Sequence, residues 1–316
     1  MPALVLFSQH PRVGKTAVAV GLAQGLRQDG RPAALIRLGS PDDESAAADA
    51  LCFASLGLAA GKSSQPVSLE EAGGLVKGAP DTTFLLELPA GEAAPRQIEE
   101  GATVLVERFA DLDVARIASV AKTLGGSLPS VVLTATPVPR LASVKEELAG
   151  QGIPLLAALP EDRLLAAPTI GEMAAALDAE TLFLDGHAET IVERMTIASI
   201  SADPGQGYFV RFGPQAVIVR CDKPDLHLAA LHTSTLCLVL TGGRKPLAYV
   251  TERAEGEGVP LLITAKDTPA AVRTLEGLYA RGRFCGRRKA ERIAQLMAER
   301  LDNDALGKAL ASGQKG

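Results

Sequence analysis

Short apolar runs alternate with longer amphipathic segments along the chain, and no other feature constrains the fold as much. ALVLF (3–7), AALIRL (33–38), TTFLLEL (82–88), TVLVE (103–107), SVVLTA (130–135) and IPLLAAL (153–159) read as strands. Between them lie segments of helical period: Lys15 to Gln28, with Val18, Leu22 and Leu26 on one face, and stretches near 43–56, 112–124 and 140–151. Strands this apolar are covered on both faces, and their alternation with helices implies parallel pairing through crossovers. The first half is therefore expected to be an α/β fold built on a doubly wound parallel sheet. Residues 160–190 break the rhythm with Pro160, Pro168 and a helical pattern. A second, smaller α/β block follows. Its strands are expected near 195–200, 215–220, 236–241 and 259–264, and its helices near 224–232, 246–257 and 267–280. A last helix, about 287–301, precedes a tail, ALASGQKG, expected to fray.

The 316 residues exceed what one core usually needs, so two domains are expected. They are placed at 1–185 and 190–285, with a C-terminal helix and tail at 286–316. A net charge of −5 gives no pull toward nucleic acid or anionic membrane. Aromatic residues are 3% and Trp is absent, which argues against a base-stacking surface and a membrane belt. No stretch approaches the roughly 18 apolar residues of a membrane span. The start, MPALVLFSQH, lacks the basic region of a signal peptide. Cys52, Cys221, Cys237 and Cys285 have neither C-x-x-C nor zinc-site spacing, so they read as free thiols. A cytoplasmic location is expected, with no membrane or nucleic-acid partner.

Chemistry concentrates at SQHPRVGKT (8–16). Phosphate binding needs converging backbone N–H groups, a helix N-terminus and a cation within reach. The segment lies between the first strand and the first helix, where such a loop belongs. Gly14 permits close backbone approach, Lys15 reaches phosphate oxygens and the Thr16 hydroxyl suits Mg²⁺. Ser8, Arg12 and Val13 line the loop ahead of them. The strict motif G-x-x-x-x-G-K-[ST] places Gly at position 9, where this chain has Gln9, so Ser8 or Gln9 must start the turn.

The longer spacing resembles the loop of dethiobiotin synthetases, with Ser8 in the place of the first glycine. PLLAALPEDRLLAAPTIGEMAAAL (154–177) resembles the end of the synthetase-like domain attached to many phosphate acetyltransferases. CDKPDLHLAALHTSTLCLVLTGG (221–243) resembles the core of the DRTGG domain that follows there. The resemblance covers about 1–280. It implies a P-loop NTPase-like sheet, a smaller DRTGG domain, ATP with Mg²⁺, and site residues matched one by one. Arg37 ends the second strand where the family has Lys. It keeps the charge but presents a planar fork, so it reads either as a phosphate ligand or as a solvated strand-end arginine. Glu87 matches the Glu of the family's V-E-G signature and is expected near Mg²⁺. SPDDES supplies Asp42, Asp43 and Glu44, of which Asp43 is the candidate metal ligand, the alternative being a solvated loop. After the fifth strand the family has a base-recognising Asn, and this chain has Thr134 and Thr136.

In the second domain the DRTGG pattern implies Asp222 after one strand and Thr241, Gly242 and Gly243 after the next. They are a candidate second ligand site. Their plainer reading is a helix N-cap at Asp222 and turn glycines. Neither His227 nor His232 reads as a catalyst or metal ligand. Ile293, Leu296, Met297 and Leu301 form an apolar stripe, expected to pack on the second domain or on another subunit.

Two functions follow from these readings. One is a nucleotide-responsive regulatory or interaction protein, related to the N-terminal half of phosphate acetyltransferases, with a separate metabolic enzyme or a second copy as partner. The other is an ATP-dependent ligase or amidotransferase-like enzyme of the dethiobiotin and cobyrinic acid synthetase group. The acetyltransferase catalytic domain does not follow within the chain, so that activity is not expected.

Overall fold

The computed structural model describes residues 3–61, 64–91, 101–124, 128–198, 209–211, 213–279 and 281–312. The chain divides into two compact units, residues 1–162 with 284–316, and residues 163–283.

The first unit holds β1 (Ala3–Phe7), α1 (Lys15–Gln28), β2 (Ala33–Arg37), α2 (Glu44–Ser55), α3 (Leu69–Gly78), β3 (Thr83–Glu87), β4 (Gly101–Arg108), α4 (Val114–Thr123), β5 (Ser130–Thr136), α5 (Leu141–Gly150) and β6 (Leu155–Pro160). The strands form one sheet in the order β2-β3-β1-β4-β5-β6. Every pairing in it is parallel. Because successive side chains leave a strand on opposite faces, β1 feeds two cores. Ala3, Val5 and Phe7 join Ile117 of α4 and Val144 and Leu148 of α5 in one cluster. Leu4 and Leu6, equally buried, serve the other face. The strand order reverses around β1: the chain crosses to β2, returns through β3, then continues to β4. Such a reversal opens a crevice at the carboxyl ends of the strands, where ligands of α/β sheets bind.

The second unit contains α6 (Arg163–Ala166), α7 (Ile170–Leu177), β7 (Glu180–Leu182), β8 (Met195–Ile197), β9 (Gln215–Arg220), α8 (Pro224–Leu231), β10 (Thr235–Thr241), α9 (Ala248–Glu257), β11 (Leu261–Thr264) and α10 (Thr268–Glu276). Its sheet has the order β7-β11-β10-β9-β8. β7 is antiparallel to β11, and the remaining pairs are parallel. α8 and α9 cover one face, with Leu226, Ala230, Val250 and Ala254 against Val217, Leu238 and Leu261. α7 and α10 cover the other, with Met173, Leu177, Ala271 and Leu275 against Ile218, Val239 and Leu262.

Two helices close the chain, α11 (Arg287–Arg300) and α12 (Asn303–Ser312). They correct two expectations. The stripe of α11 packs on α1 within the first unit, not on the second domain or another subunit. A Cβ at Gly21 would lie 2.8 Å from Met297 Cγ and 3.0 Å from Ile293 Cγ1, so the missing side chain lets the two helices meet. The tail expected to fray is helical as far as Ser312, with Leu306, Ala309 and Leu310 buried. Its last four residues, 313–316, lie outside the described ones. Among the described residues no helix is long and apolar enough to cross a membrane.

Candidate functional site

β1 ends at Phe7 and α1 begins at Lys15, so the strand points its carboxyl end at a loop that closes on a helix N-terminus. Gly14 caps α1 with φ +94°, a conformation that strains any residue bearing a Cβ. The loop has no glycine at position 9, and side chains of neighbouring elements hold its shape. Ser8 Oγ donates to the His10 carbonyl at 2.7 Å. The Gln9 N–H donates to Glu107 Oε1 at 3.1 Å. Thr134 Oγ1 donates to the Val13 carbonyl at 2.6 Å. Arg116 Nη1 meets His10 Nε2 at 2.9 Å. Arg12 is exposed at the turn, with φ +58°.

Lys15 is buried and donates to Ser8 Oγ at 2.9 Å. Burial lowers its pKa, opposed chiefly by the charge of Glu87. Glu87, the last residue of β3, is buried and accepts the Thr16 hydroxyl at 3.0 Å on Oε1. Its other oxygen, Oε2, is buried with no hydrogen-bond partner among the described residues. Burial, then repulsion from Asp49, pushes the Glu87 carboxyl up to about 7. Arg37 sits directly beside Glu87 in the β2–β3 register. Its Nε donates to Asp49 Oδ2 at 3.1 Å, and Nη1 to the Glu87 carbonyl at 3.3 Å and to the Leu38 carbonyl. Burial raises the Asp49 carboxyl, opposed by Arg37 and by the Thr16 hydroxyl.

The fold therefore gathers Ser8, Lys15, Thr16, Arg37 and Glu87 at the crevice beside β1. Asp43 is occupied elsewhere: its Oδ1 accepts the backbone N–H groups of Ser45 and Ala46 and caps α2. Two further carboxylates belong to the group and escaped the sequence reading. Asp49 lies on the face of α2 that carries Ala46, Ala50 and Phe53, a placement visible only once the helix is packed. Glu107 ends the apolar run of β4 as Glu87 ends that of β3. Its Oε2 is likewise buried without a partner among the described residues, and burial raises its pKa. Among those residues no group of three or more His, Cys, Asp or Glu side chains forms a ready metal cage. Any metal here would need ligands beyond protein carboxylates. Thr136 is fully buried at the end of β5, and its hydroxyl has no partner among the described residues.

In the second unit the strand ends of β9, β10 and β11 bring Asp222, Thr241, Gly242 and Gly243 together. Asp222 does not cap α8. Its carboxylate pairs with Arg220, with Nε to Oδ1 at 2.9 Å, and this pair holds its pKa down. The N-cap position is Lys223, which makes no side-chain cap. Buried Thr241 shares a hydrogen bond with Thr268 at 2.7 Å. Gly242 and Gly243 have φ +97° and +72°, and their N–H groups bond the carbonyls of Lys266 and Thr264. A Cβ on Gly242 would lie 3.2 Å from Cys221 Sγ, and one on Gly243 would lie 3.3 Å from Ala265 Cα. The glycines are thus accounted for by backbone conformation and close packing. His227 is fully buried and hydrogen-bonded through Nε2 to the Arg220 carbonyl at 2.9 Å, with its pKa lowered by burial.

Against known proteins, residues 172–278 match the DRTGG domain family. A stretch of 164 residues is 30% identical to phosphate acetyltransferase of Nitratidesulfovibrio vulgaris, covering 48% of this chain and 23% of that protein. The chain thus spans less than a quarter of the length of that relative. Among solved structures, the MinC:MinD cell division complex of Aquifex aeolicus matches at TM-score 0.36 and 15% identity, over 52% of this chain and 84% of that one. A nucleotide-binding protein from Archaeoglobus fulgidus in complex with ADP matches at TM-score 0.35 and 16% identity, over 51% and 82%. The CBS and DRTGG domains of the regulatory region of Clostridium perfringens pyrophosphatase match at TM-score 0.33 and 12% identity, over 44% and 70%.

Proposed function

We propose that the first unit binds ATP with Mg²⁺ at the 8–16 loop and that the chain is a nucleotide-responsive regulatory protein. One observation carries the reading. A buried lysine stands at a helix N-terminus beside a buried carboxylate, one oxygen of which has no hydrogen-bond partner among the described residues, and the next residue's hydroxyl bonds that carboxylate. A buried, unpartnered carboxylate oxygen is costly unless a proton or a cation completes it, and Mg²⁺ brought with a nucleotide would be such a cation. Hence Thr16, Glu87 and Asp49 are the residues that would hold Mg²⁺. Lys15 and the first N–H groups of α1 would hold phosphate oxygens, because helix N-termini favour anions. Mg²⁺ takes few protein ligands and completes its shell with phosphates and water, which fits a site of two carboxylates and a hydroxyl. The metal neutralises phosphate charge when bound. The protein's own part is to orient the anion, with the Glu87 charge opposing the lowering of the Lys15 pKa by burial.

The regulatory part rests on the similarity of 172–278 to the DRTGG family and of part of the chain to a phosphate acetyltransferase. The enzyme reading is weaker for a specific reason. Arg37, which stands where a substrate-binding lysine is expected, is buried and spends its guanidinium on Asp49 and two backbone carbonyls.

Thermal shift with ATP, ADP and GTP, each with and without Mg²⁺, tests the reading. A ligand at 100 times its Kd stabilises by about 2.7 kcal/mol. Wild type should respond to Mg-ATP, and Lys15→Ala should keep the fold and lose the response. Equal responses from the two proteins would sink the proposal.

A further inference from the structure

The loop is held from two sides at its entry segment, Ser8 to His10. The Lys15 ammonium reaches back along the loop and donates to Ser8 Oγ at 2.9 Å. Ser8 Oγ in turn donates to the His10 carbonyl at 2.7 Å. From the other side Arg116, on α4 and 106 residues away in sequence, brings Nη1 to 2.9 Å from His10 Nε2. Between these contacts Glu107 accepts the Gln9 N–H at 3.1 Å. A cation from α1 and a cation from α4 thus converge on Ser8–His10. The opposite end of the loop, Gly14 to Thr16, is the N-terminus of α1.

Arg116 and Arg37 differ in what their guanidinium groups already hold. Arg37 is buried and committed to Asp49 and to two backbone carbonyls. Arg116 is exposed, and among the described residues its guanidinium forms no salt bridge and bonds His10 alone. A guanidinium can only donate, so His10 Nε2 accepts through its lone pair and the ring is uncharged in this contact. Hydrogen bonds to an anion are roughly twice as strong as those between neutral groups, and the planar fork of arginine matches two phosphate oxygens at once. The His10 contact therefore holds Arg116 at the loop on a bond that a phosphate would outcompete.

We propose that Arg116 reads the terminal phosphate of the nucleotide, so that the site prefers a nucleoside triphosphate to a diphosphate. The inference rests on the nucleotide reading above and adds the residue that sets its specificity. A helix N-terminus takes the phosphates nearest to it, which assigns the inner phosphates to residues 14–16. The lysine of such a loop extends toward the outer phosphates, and here its Nζ lies at Ser8. The third phosphate then falls over the entry segment, where the guanidinium exchanges His10 Nε2 for phosphate oxygens. Glu107 stands at the same end, and a phosphate brought beside a carboxylate needs a compensating cation in addition to Lys15. A diphosphate offers nothing at that end and leaves Arg116 on His10. Discrimination of this kind is what a protein responsive to the state of the nucleotide requires.

Calorimetric titration of the full chain with Mg-ATP and with Mg-ADP tests the assignment. The two ligands share base, ribose and inner phosphates, so the ratio of their affinities isolates the third phosphate. Wild type should bind Mg-ATP more tightly than Mg-ADP. Arg116→Ala should weaken Mg-ATP about tenfold, the scale of one hydrogen bond to a charged group, and leave Mg-ADP unchanged. Unchanged Mg-ADP binding also shows that the variant keeps its fold and its loop. Arg116→Lys, with a point charge in place of the fork, should recover part of the loss. Equal losses for both nucleotides would make Arg116 a brace of the loop and overturn the assignment, as would an Arg116→Ala protein with wild-type affinity for Mg-ATP. A wild type that binds neither nucleotide overturns the nucleotide reading itself, and the assignment with it.

Discussion

Thr16 and Glu87 meet at 3.0 Å, joining the first turn of α1 to the last residue of β3 across the floor of the crevice. The other Glu87 oxygen, Oε2, is buried and unpartnered among the described residues. Burial, then the charge of Asp49, raises the Glu87 carboxyl from its ordinary 4.5 to about 7. Between those values the native state binds a proton that the unfolded chain has released. Stability from this group is therefore highest on the acid side and falls as pH rises through the window. Mg²⁺ requires the ionised form, so Mg-ATP affinity should rise with pH across the same range. Urea melts from pH 5 to 8 should show the decline, and Glu87→Gln should flatten it. Parallel curves for the two proteins would mean that Glu87 does not titrate there.

Gly14 fixes the end of the loop. At φ +94° a Cβ is strained, although it would meet Thr134 Cγ2 only at 3.4 Å, an ordinary contact. Gly14→Ala should cost about 1–2 kcal/mol from the left-handed backbone alone and should weaken Mg-ATP binding. Thr134→Val should cost about 1 kcal/mol by leaving the Val13 carbonyl without its donor. Denaturant unfolding measures both. A Gly14→Ala protein as stable as wild type would place the loop in a different conformation.

The seat of α11 on α1 is tested at Gly21. Gly21→Val drives a side chain into Met297 and Ile293, and overpacking of this kind costs about 1–3 kcal/mol. Combining it with Met297→Ala should recover part of the loss, giving a favourable coupling in a double-mutant cycle. Strict additivity would mean the two helices do not touch there.

What the sequence disclosed follows from what its local pattern encodes. The buried strands were legible because residues covered on both faces leave uninterrupted apolar runs, as in ALVLF and SVVLTA. β7 was not: it is a three-residue edge strand with partly exposed side chains, inside a stretch that reads as helical. α3 was missed although Ser68 and Glu71 form its capping box, since Gly73, Gly74 and Gly78 weaken the helical signal. The stripe on α11 was visible, but amphipathicity names a buried face and not the surface that buries it. The site divides in the same way. Gly14, Lys15 and Thr16 are contiguous and could be read directly. Asp49 and Glu107 reach the loop only through strand order and helix packing, and an acidic residue beside apolar ones is a signal only once the fold is known.

The regulatory reading makes one further demand. A nucleotide that bound every state of the chain equally would shift nothing, so regulation requires two states of unequal affinity. The expected reporter is the segment from 220 to 301. It includes the DRTGG-like strand ends with Thr241–Gly243, and α11, whose buried stripe touches the same helix that begins at Lys15. Hydrogen exchange with and without Mg-ATP should show slowed exchange at 8–16 and at the ends of β1 and β3. It should also show altered exchange within 220–301, and Lys15→Ala should remove both effects together. Protection confined to the loop and its neighbouring strand ends, with 220–301 unchanged, would leave a nucleotide-binding unit without the regulation proposed for it.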